Sequence, residues 1–412
     1  MTAPGSKSHT IRGLIIALLA DGESTIINPL DSSDTRSCLE ACRAFGAEII
    51  ERPNSWVVTG TGGKPKTPEN VVDVGNSGTS LYLLSGIAAL QDGWTVFTGD
   101  DQIRSRPAGP LLSSIADLGA RVISTRGNGA APYLVGGPLS GGKTEIECPT
   151  SQYLSSLLLA APAAMGNTEI AVPLLNEQPY AEMTLSWLDN QGIKYANDGF
   201  RHFAIPGGQR YRSFSRPIPG DFSSATFFLC AAAVNGATIR VDGLDFEDSQ
   251  GDKAVVDMLE KLGCAVERTS ESVVIRGKPL RGCELDLNAT PDALPALAVT
   301  ACFAEGTTRL VNVPQARLKE TDRITVMREE LTKMGARVEE MPDGLIIHGR
   351  TRGEKPPLKG AEVDGRSDHR VVMALAIGAL AAEGDTSIDT VEAVDVTVPG
   401  FFNLLHSISK EA

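Results

Sequence analysis

Arg317-Leu318-Lys319-Glu320-Thr321-Asp322-Arg323 is followed by Ile324, Met327, Leu331 and Met334, and the run stops at Gly335. The apolar residues lie three and four apart, which places them on one face of a helix, with Thr321 as the expected N-cap. A glycine just past the last apolar turn accepts the left-handed conformation that closes a helix. Met334-Gly335-Ala336 has counterparts at Phe45-Gly46-Ala47, Leu118-Gly119-Ala120, Gln191-Gly192-Ile193 and Leu262-Gly263-Cys264, so this helix and its stop recur about every 72 residues. A second series of apolar, small-residue helices is expected to stop at Gly22, Gly93, Gly166, Gly236, Gly306 and Gly384, with the same period. Short β-type runs follow these glycines at 24–28, 94–98, 168–172, 238–241 and 308–311.

Two helices and several strands per period predict six copies of one α/β unit in 412 residues. Such a length predicts more than one domain. The most turn-rich junction, 212–220, separates the third unit from the fourth. The apolar runs 14–19, 154–164, 226–234, 296–303 and 371–381 have no polar face, so these helices are expected inside, with sheets around them and a cleft between the two halves. A repeat solenoid serving as a scaffold would share the period, but the long polar connections count against it.

Composition narrows the class. The net charge of −13 argues against nucleic acid or an anionic membrane surface as the partner. The seven cysteines form no CxxC pair and lie mostly in apolar runs, which predicts reduced core thiols rather than a metal site or a disulfide framework. No leader precedes the first motif and no apolar run is long enough to span a bilayer, so the expected compartment is the cytoplasm.

Every buried helix is entered through polar residues: Ser6-Lys7-Ser8-His9-Thr10-Ile11-Arg12, Asn76-Ser77-Gly78-Thr79-Ser80, Thr150-Ser151-Gln152, Asp221-Phe222-Ser223-Ser224, Pro291-Asp292 and Ser367-Asp368-His369-Arg370. Caps explain the Ser, Thr and Asp residues. They do not explain cations beside a buried helix, where an unpaired charge costs several kcal/mol. Lys7, Arg12, Arg106, Lys319, Arg323 and Arg370 are therefore expected to face a ligand anion or the other half of the protein. An acidic protein that gathers cations at helix mouths suits a small polyanion such as a phosphorylated carboxylate. Asp292 and Glu320 offer acid and base groups within that field.

At these residues the chain resembles the 5-enolpyruvylshikimate-3-phosphate synthases. The motifs that carry the resemblance are Pro4-Gly5-Ser6-Lys7-Ser8 with Arg12, Gly75-Asn76-Ser77-Gly78-Thr79, Arg104-Ser105-Arg106-Pro107, Ser151-Gln152, Gly220-Asp221-Phe222-Ser223-Ser224-Ala225, Pro291-Asp292, the run from Arg317 to Arg323, and Asp368-His369-Arg370, in order along the chain. The resemblance implies an α/β fold of two similar domains, each of three βαβαββ units around buried parallel helices, an inside-out α/β barrel with the active site in the interdomain cleft. The expected domains are residues 6–219, and residues 1–5 together with 220–412.

The implied reaction transfers the enolpyruvyl group of phosphoenolpyruvate to the 5-hydroxyl of shikimate 3-phosphate, releasing phosphate, in the route to chorismate and the aromatic amino acids. By similarity, Lys7, Ser8, Arg12, Thr150, Ser151, Gln152, Asp292, Gln315 and Lys319 hold shikimate 3-phosphate. Lys7, Gly78, Arg106, Gln152, Arg323 and Arg370 hold phosphoenolpyruvate, with Asn76 and His369 in support. Asp292 accepts the hydroxyl proton, Glu320 exchanges a proton with the methylene carbon, and Lys7 assists catalysis. No metal or organic cofactor is expected, the partners are the two small molecules, and the chain is expected to be a monomer.

The chain departs from the family's pattern at several places. Tyr82 stands where many members carry Arg, and Val396 where many carry Lys, so two cations of the phosphoenolpyruvate side are missing. Gln315 replaces a common Asn. Glu177 stands where a Ser often meets the acceptor's phosphate, and its charge excludes it as a ligand. Relatives carry a full strand before the Lys7 motif, so either the start is truncated or the second half lacks one strand. Two other readings fit the residues less well. A nucleotide-sugar enolpyruvyl transferase would offer a cysteine in the loop Asp101-Gln102-Ile103-Arg104-Ser105-Arg106, which has none. A nucleic-acid enzyme would want a basic groove and a nucleophilic His, and His9 and His369 instead suit supporting roles.

Overall fold

The computed structural model describes residues 1–350, 353 and 356–409. Among them the α-helices are α1 (Lys7–Leu19), α2 (Ser33–Ala44), α3 (Gly78–Ala88), α4 (Gly109–Asp117), α5 (Ser151–Ala160), α6 (Gln178–Asn190), α7 (Phe222–Asn235), α8 (Ala254–Leu262), α9 (Leu294–Cys302), α10 (Arg323–Lys333), α11 (His369–Leu380) and α12 (Phe401–Ser409). They alternate in character. The odd-numbered helices are buried along nearly their whole length. Those from α2 to α10 with even numbers bury one face and wet the other. No helix among the described residues is long and apolar enough to cross a membrane.

Small residues set the spacing of the inner helices. A Cβ at Gly86 of α3 would lie 2.7 Å from the Ser156 carbonyl oxygen of α5. Instead, the Gly86 N–H donates to Ser156 Oγ at 3.1 Å, and that hydroxyl donates to the Tyr82 carbonyl at 2.6 Å. The two helices are thus joined by hydrogen bonds that only a bare backbone admits.

The five glycines after the amphipathic helices all have positive φ, from 69° at Gly192 to 117° at Gly263. The second series is less uniform than expected. Gly236 closes α7, but Gly306 lies inside the strand Ala304–Val311, and Gly93 and Gly166 stay out of the left-handed region. Their backbones are instead approached closely, with an added Cβ only 2.3 Å from Thr67 Oγ1 at Gly93. The N-cap of α10 also differs by one residue: Asp322, not Thr321, accepts from the Thr325 N–H, because the Thr321 hydroxyl is turned towards Asp368.

The chain folds into two compact units, Gly5–Ile218 and residues 1–4 with 219 onward, each with its own apolar core. In the first unit every sheet has the same plan, a central strand with one parallel and one antiparallel neighbour, the latter paired to an edge strand. The first of these sheets takes its parallel strand, Ser215–Pro217, from the end of the unit, with Thr25 opposite Ser215. In the second unit, Thr2 makes a parallel bridge to Asp242, and residues 1–3 thereby lengthen the sheet of Thr238–Asp242, Ser272–Arg276 and Ala265–Arg268. The last sheet is reduced to Glu362–Asp364 and Ser387–Asp389. The helix α12 packs on the core of this unit, with the Phe401 ring 5.3 Å from that of Phe228 in α7.

Candidate active site

In the first unit the chemistry sits where the buried helices begin. Lys7 is the first residue of α1, and its ammonium pairs with Asp34 at 2.9 Å. Asp34 lies in the first turn of α2, where the helix dipole favours a carboxylate. Arg12 is one turn further into α1 and buried. Its guanidinium donates to Thr184 Oγ1 at 2.8 Å, the Ser8 carbonyl at 3.0 Å, the Tyr180 carbonyl at 3.0 Å and Ser155 Oγ at 3.3 Å. All four acceptors are uncharged, and burial pulls its pKa down to about 10.

Gly78 opens α3 under the cation of Arg106: an added Cβ would stand 2.2 Å from Arg106 NH1. The loop that carries Arg106 is tied to this helix mouth by Asn76, whose amide donates to Asp100 and Gln102, both at 2.6 Å. Tyr82, which stands in place of a common cation, donates its hydroxyl to the Pro107 carbonyl at 2.9 Å and meets the Tyr153 ring edge-on at 5.1 Å. Arg104 turns away to Asp101 and the Gly99 carbonyl.

Thr150 caps α5, accepting from the Gln152 N–H at 3.5 Å. The carboxylate of Glu177 lies at the same helix mouth. Its Oε2 accepts from Thr150 Oγ1 at 3.1 Å, Ser151 Oγ at 3.2 Å and the Ser151 N–H at 3.3 Å. A residue set aside for its charge thus touches two of the residues expected to hold an anion.

In the second unit five other charged side chains gather around Arg323, the first residue of α10. Its guanidinium grips Asp368 through Nε at 2.8 Å and NH2 at 3.1 Å, donates to Asp292 from NH1 at 2.8 Å, and reaches Glu320 from NH2. Asp292 also accepts from Arg370 NH2 at 3.0 Å, and Lys319 Nζ lies 4.0 Å away. Arg370 donates further to Ser223 Oγ at the mouth of α7, at 2.8 Å. Burial would lower the Arg323 pKa, but the fields of Asp368, Glu320 and Asp292 outweigh it and the net shift is upward. Lys319, Arg323 and Arg370 face Asp292, Glu320 and Asp368, so the cluster is balanced, three charges against three.

Asp292, Lys319, Glu320, Arg323 and Arg370 are therefore assembled, with His369 buried beside Asp368 and Arg370 at the start of α11. Gln315 is buried one turn before Lys319, and its amide donates to the Asn288 carbonyl at 2.9 Å. Lys7, Ser8, Arg12, Asn76, Gly78, Arg106, Thr150, Ser151 and Gln152 lie at the mouths of α1, α3 and α5 in the other unit. Sequence reasoning missed Asp34, gave Asp368 no role and did not foresee the contacts of Glu177. Only the placement of Asp34 in a first helical turn carried a signal. Among the described residues no group of three or more His, Cys, Asp or Glu is arranged to hold a metal ion.

Buried helices that present cations and carboxylates at their first turns define an α/β protein that handles small anions. A family model described as EPSP synthase (3-phosphoshikimate 1-carboxyvinyltransferase) matches residues 1–405. A 3-phosphoshikimate 1-carboxyvinyltransferase of Acetivibrio thermocellus is 56% identical over 98% of this chain and 94% of its own. That of Ruminiclostridium cellulolyticum is 54% identical over 99% and 95%. The structure of EPSP synthase from Acinetobacter baumannii superposes with a TM-score of 0.83 at 28% identity, covering 99% of this chain and 94% of that one. The chain belongs to the EPSP synthase family. None of these names supports a nucleotide-sugar acceptor.

Proposed function

We propose that this chain transfers the carboxyvinyl group of phosphoenolpyruvate to the 5-hydroxyl of shikimate 3-phosphate and releases phosphate. The observation that carries the reading is the balanced cluster around Arg323, in which two carboxylates suited to proton transfer are held by the cations that an anionic substrate would claim. Phosphoenolpyruvate takes over donors of Arg323 and Arg370, with Lys7, Gly78, Arg106 and Gln152 completing its site. That exchange frees Asp292 from two guanidinium groups as the acceptor arrives. Lys7, Ser8, Arg12, Thr150, Ser151, Gln152, Gln315 and Lys319 hold the acceptor.

Asp292 takes the proton of the 5-hydroxyl as its oxygen bonds to C2 of phosphoenolpyruvate. Glu320, protonated from solvent once phosphoenolpyruvate has drawn Arg323 from it, delivers that proton to C3, turning the methylene into a methyl group. In the second step Glu320 removes a methyl proton, the double bond reforms, and the C2–O bond to phosphate breaks. Phosphate leaves with the proton held by Asp292. The protein works as a monomer in the cytoplasm; the seven free cysteines suit a reducing compartment.

Phosphate release by the purified protein with phosphoenolpyruvate, comparing shikimate 3-phosphate with UDP-N-acetylglucosamine, tests this reading. Release is expected with shikimate 3-phosphate alone, and Glu320→Ala lowers kcat by about 10²-fold or more. Release with the nucleotide sugar alone, or an unimpaired Glu320→Ala protein, would overturn it.

A further inference from the structure

We infer that Tyr82 is a positioning residue for the phosphoenolpyruvate half of the reaction: with Tyr153 it pins the Pro107 carbonyl and so fixes the Arg106 guanidinium at the mouth of α3. The inference rests on the proposed reaction for the identity of the anion, but its grounds are the geometry of one loop.

The first ground is that a single carbonyl takes two phenols. Tyr82 Oη donates to the Pro107 carbonyl at 2.9 Å, and Tyr153 Oη donates to the same oxygen. Tyr82 comes from α3 and Tyr153 from α5, and their rings meet edge-on at 5.1 Å. The carbonyl is available because α4 does not use it. The ladder of that helix begins one residue later, where the Ala108 carbonyl accepts from the Leu112 N–H at 2.9 Å. A carbonyl oxygen has two lone pairs, and two donors fill them. Both tyrosines are buried, and burial holds the Tyr153 hydroxyl well above its usual range, so it stays protonated and donating.

The second ground is what the pinned segment carries. Arg106 directly precedes Pro107, and its guanidinium packs against Gly78 with no room for a Cβ between them. Gly78 and Tyr82 are four residues apart on α3 and so lie on one face of that helix. That face meets the loop twice, once at the guanidinium and once at the carbonyl behind it. Upstream, the short turn Ile103–Ser105 is closed by the Arg106 N–H, which donates to the Ile103 carbonyl at 3.2 Å, and Asn76 holds Asp100 and Gln102. The two tyrosines anchor the downstream side. Proline fixes its own φ and restricts the residue before it, so holding its carbonyl also holds the Arg106 backbone. At a position where a cation is common, this chain carries a neutral donor that keeps Arg106 in place.

The test is steady-state kinetics of the full-length wild type, Tyr82→Phe, Tyr153→Phe and the double variant, with phosphoenolpyruvate and shikimate 3-phosphate varied in turn. Phe keeps the ring contact and removes only the hydroxyl. Tyr82→Phe should raise the KM for phosphoenolpyruvate about fivefold, the worth of one hydrogen bond, and leave that for shikimate 3-phosphate nearly unchanged. In each single variant the other phenol still holds the carbonyl, so the double variant should lose more than the product of the two single losses. A merely structural role would move both KM values together. An unchanged KM for phosphoenolpyruvate in Tyr82→Phe, an equal rise for both substrates, or a double variant no worse than the product overturns the inference. Turnover by the wild type tests the reaction itself. If the wild type does not turn over, hydrogen exchange of the free protein still reads the anchor at the Arg104, Ser105 and Arg106 amides, which are bonded within the turn. Exchange about fivefold faster in Tyr82→Phe supports the pinning, and equal exchange overturns it.

Discussion

The mouths of α5 and α11 each hold a buried carboxylate, and they hold it in opposite ways. Asp368 is the N-cap of its own helix. It accepts from the Arg370 N–H at 2.9 Å and from the Thr321 hydroxyl at 3.1 Å, and the Arg323 guanidinium grips both of its oxygens. Glu177 reaches α5 from the start of α6 and meets neutral donors there. A carboxylate fixed by a cap and a two-pronged cation is a permanent part of the fold. The other takes two hydroxyls and one N–H at the first turn of a neighbouring helix. The contrast separates a carboxylate that caps its own helix from one that reaches the mouth of another.

The largest effect that can break this comparison is Asp368→Ala. It leaves Arg323 buried with two acceptors fewer and removes the cap of α11, so a loss of about 3 to 5 kcal/mol is expected in denaturant unfolding. A variant as stable as the wild type would mean that Asp368 is no more permanent than Glu177. Activity would fall with it, since Arg323 also positions Glu320 and Asp292.

The mouth of α3 sharpens the comparison as a third case, because there a guanidinium rather than a carboxylate packs on the first residue. Gly78→Ala puts a methyl group where Arg106 NH1 now lies. The guanidinium has to move by about 1 Å, which raises the KM for phosphoenolpyruvate roughly tenfold or more and leaves that for the acceptor nearly unchanged. Steady-state kinetics in both substrates reads the split. Equal changes in both KM values would show that this mouth is not reserved for one substrate.

The smallest effect concerns the apolar cores behind these helix mouths. Burial pushes the thiols of Cys148, Cys230 and Cys302 up to about 12. A thiol with a raised folded pKa stabilises the fold fully below its unfolded value of about 8.5 and loses that contribution as pH rises towards 12, so unfolding free energy should decline across this window. In the native protein at pH 8 a thiol reagent should modify Cys283, the only cysteine not buried, well before the other six. Rapid modification of several thiols would place water inside the cores.

Much of this architecture was legible in the chain. The glycines after Phe45, Leu118, Gln191, Leu262 and Met334 mark helix ends because a left-handed residue is a local requirement, independent of what packs nearby. Fully apolar runs such as that of α9 leave no choice but burial. Gly93 and Gly166 were misread as the same signal, since a glycine needed for close approach of another segment looks identical in sequence to one needed for a turn. Thr321 was taken for a cap because the sequence does not reveal that Asp368, far along the chain, draws its hydroxyl away.

The sequence by itself determined the period, the buried helices and the gathering of cations and carboxylates at their first turns, because backbone conformation, periodic burial and capping act over a few residues. Only the tertiary structure decided who pairs with whom. Lys7 finds Asp34, Arg323 finds Asp292 and Asp368, and Glu177 finds the mouth of α5 across separations of 26 to 45 residues. Those pairings decide which charges sit against which. Coulomb energy depends on distance and burial in space, and residue order along the chain fixes neither.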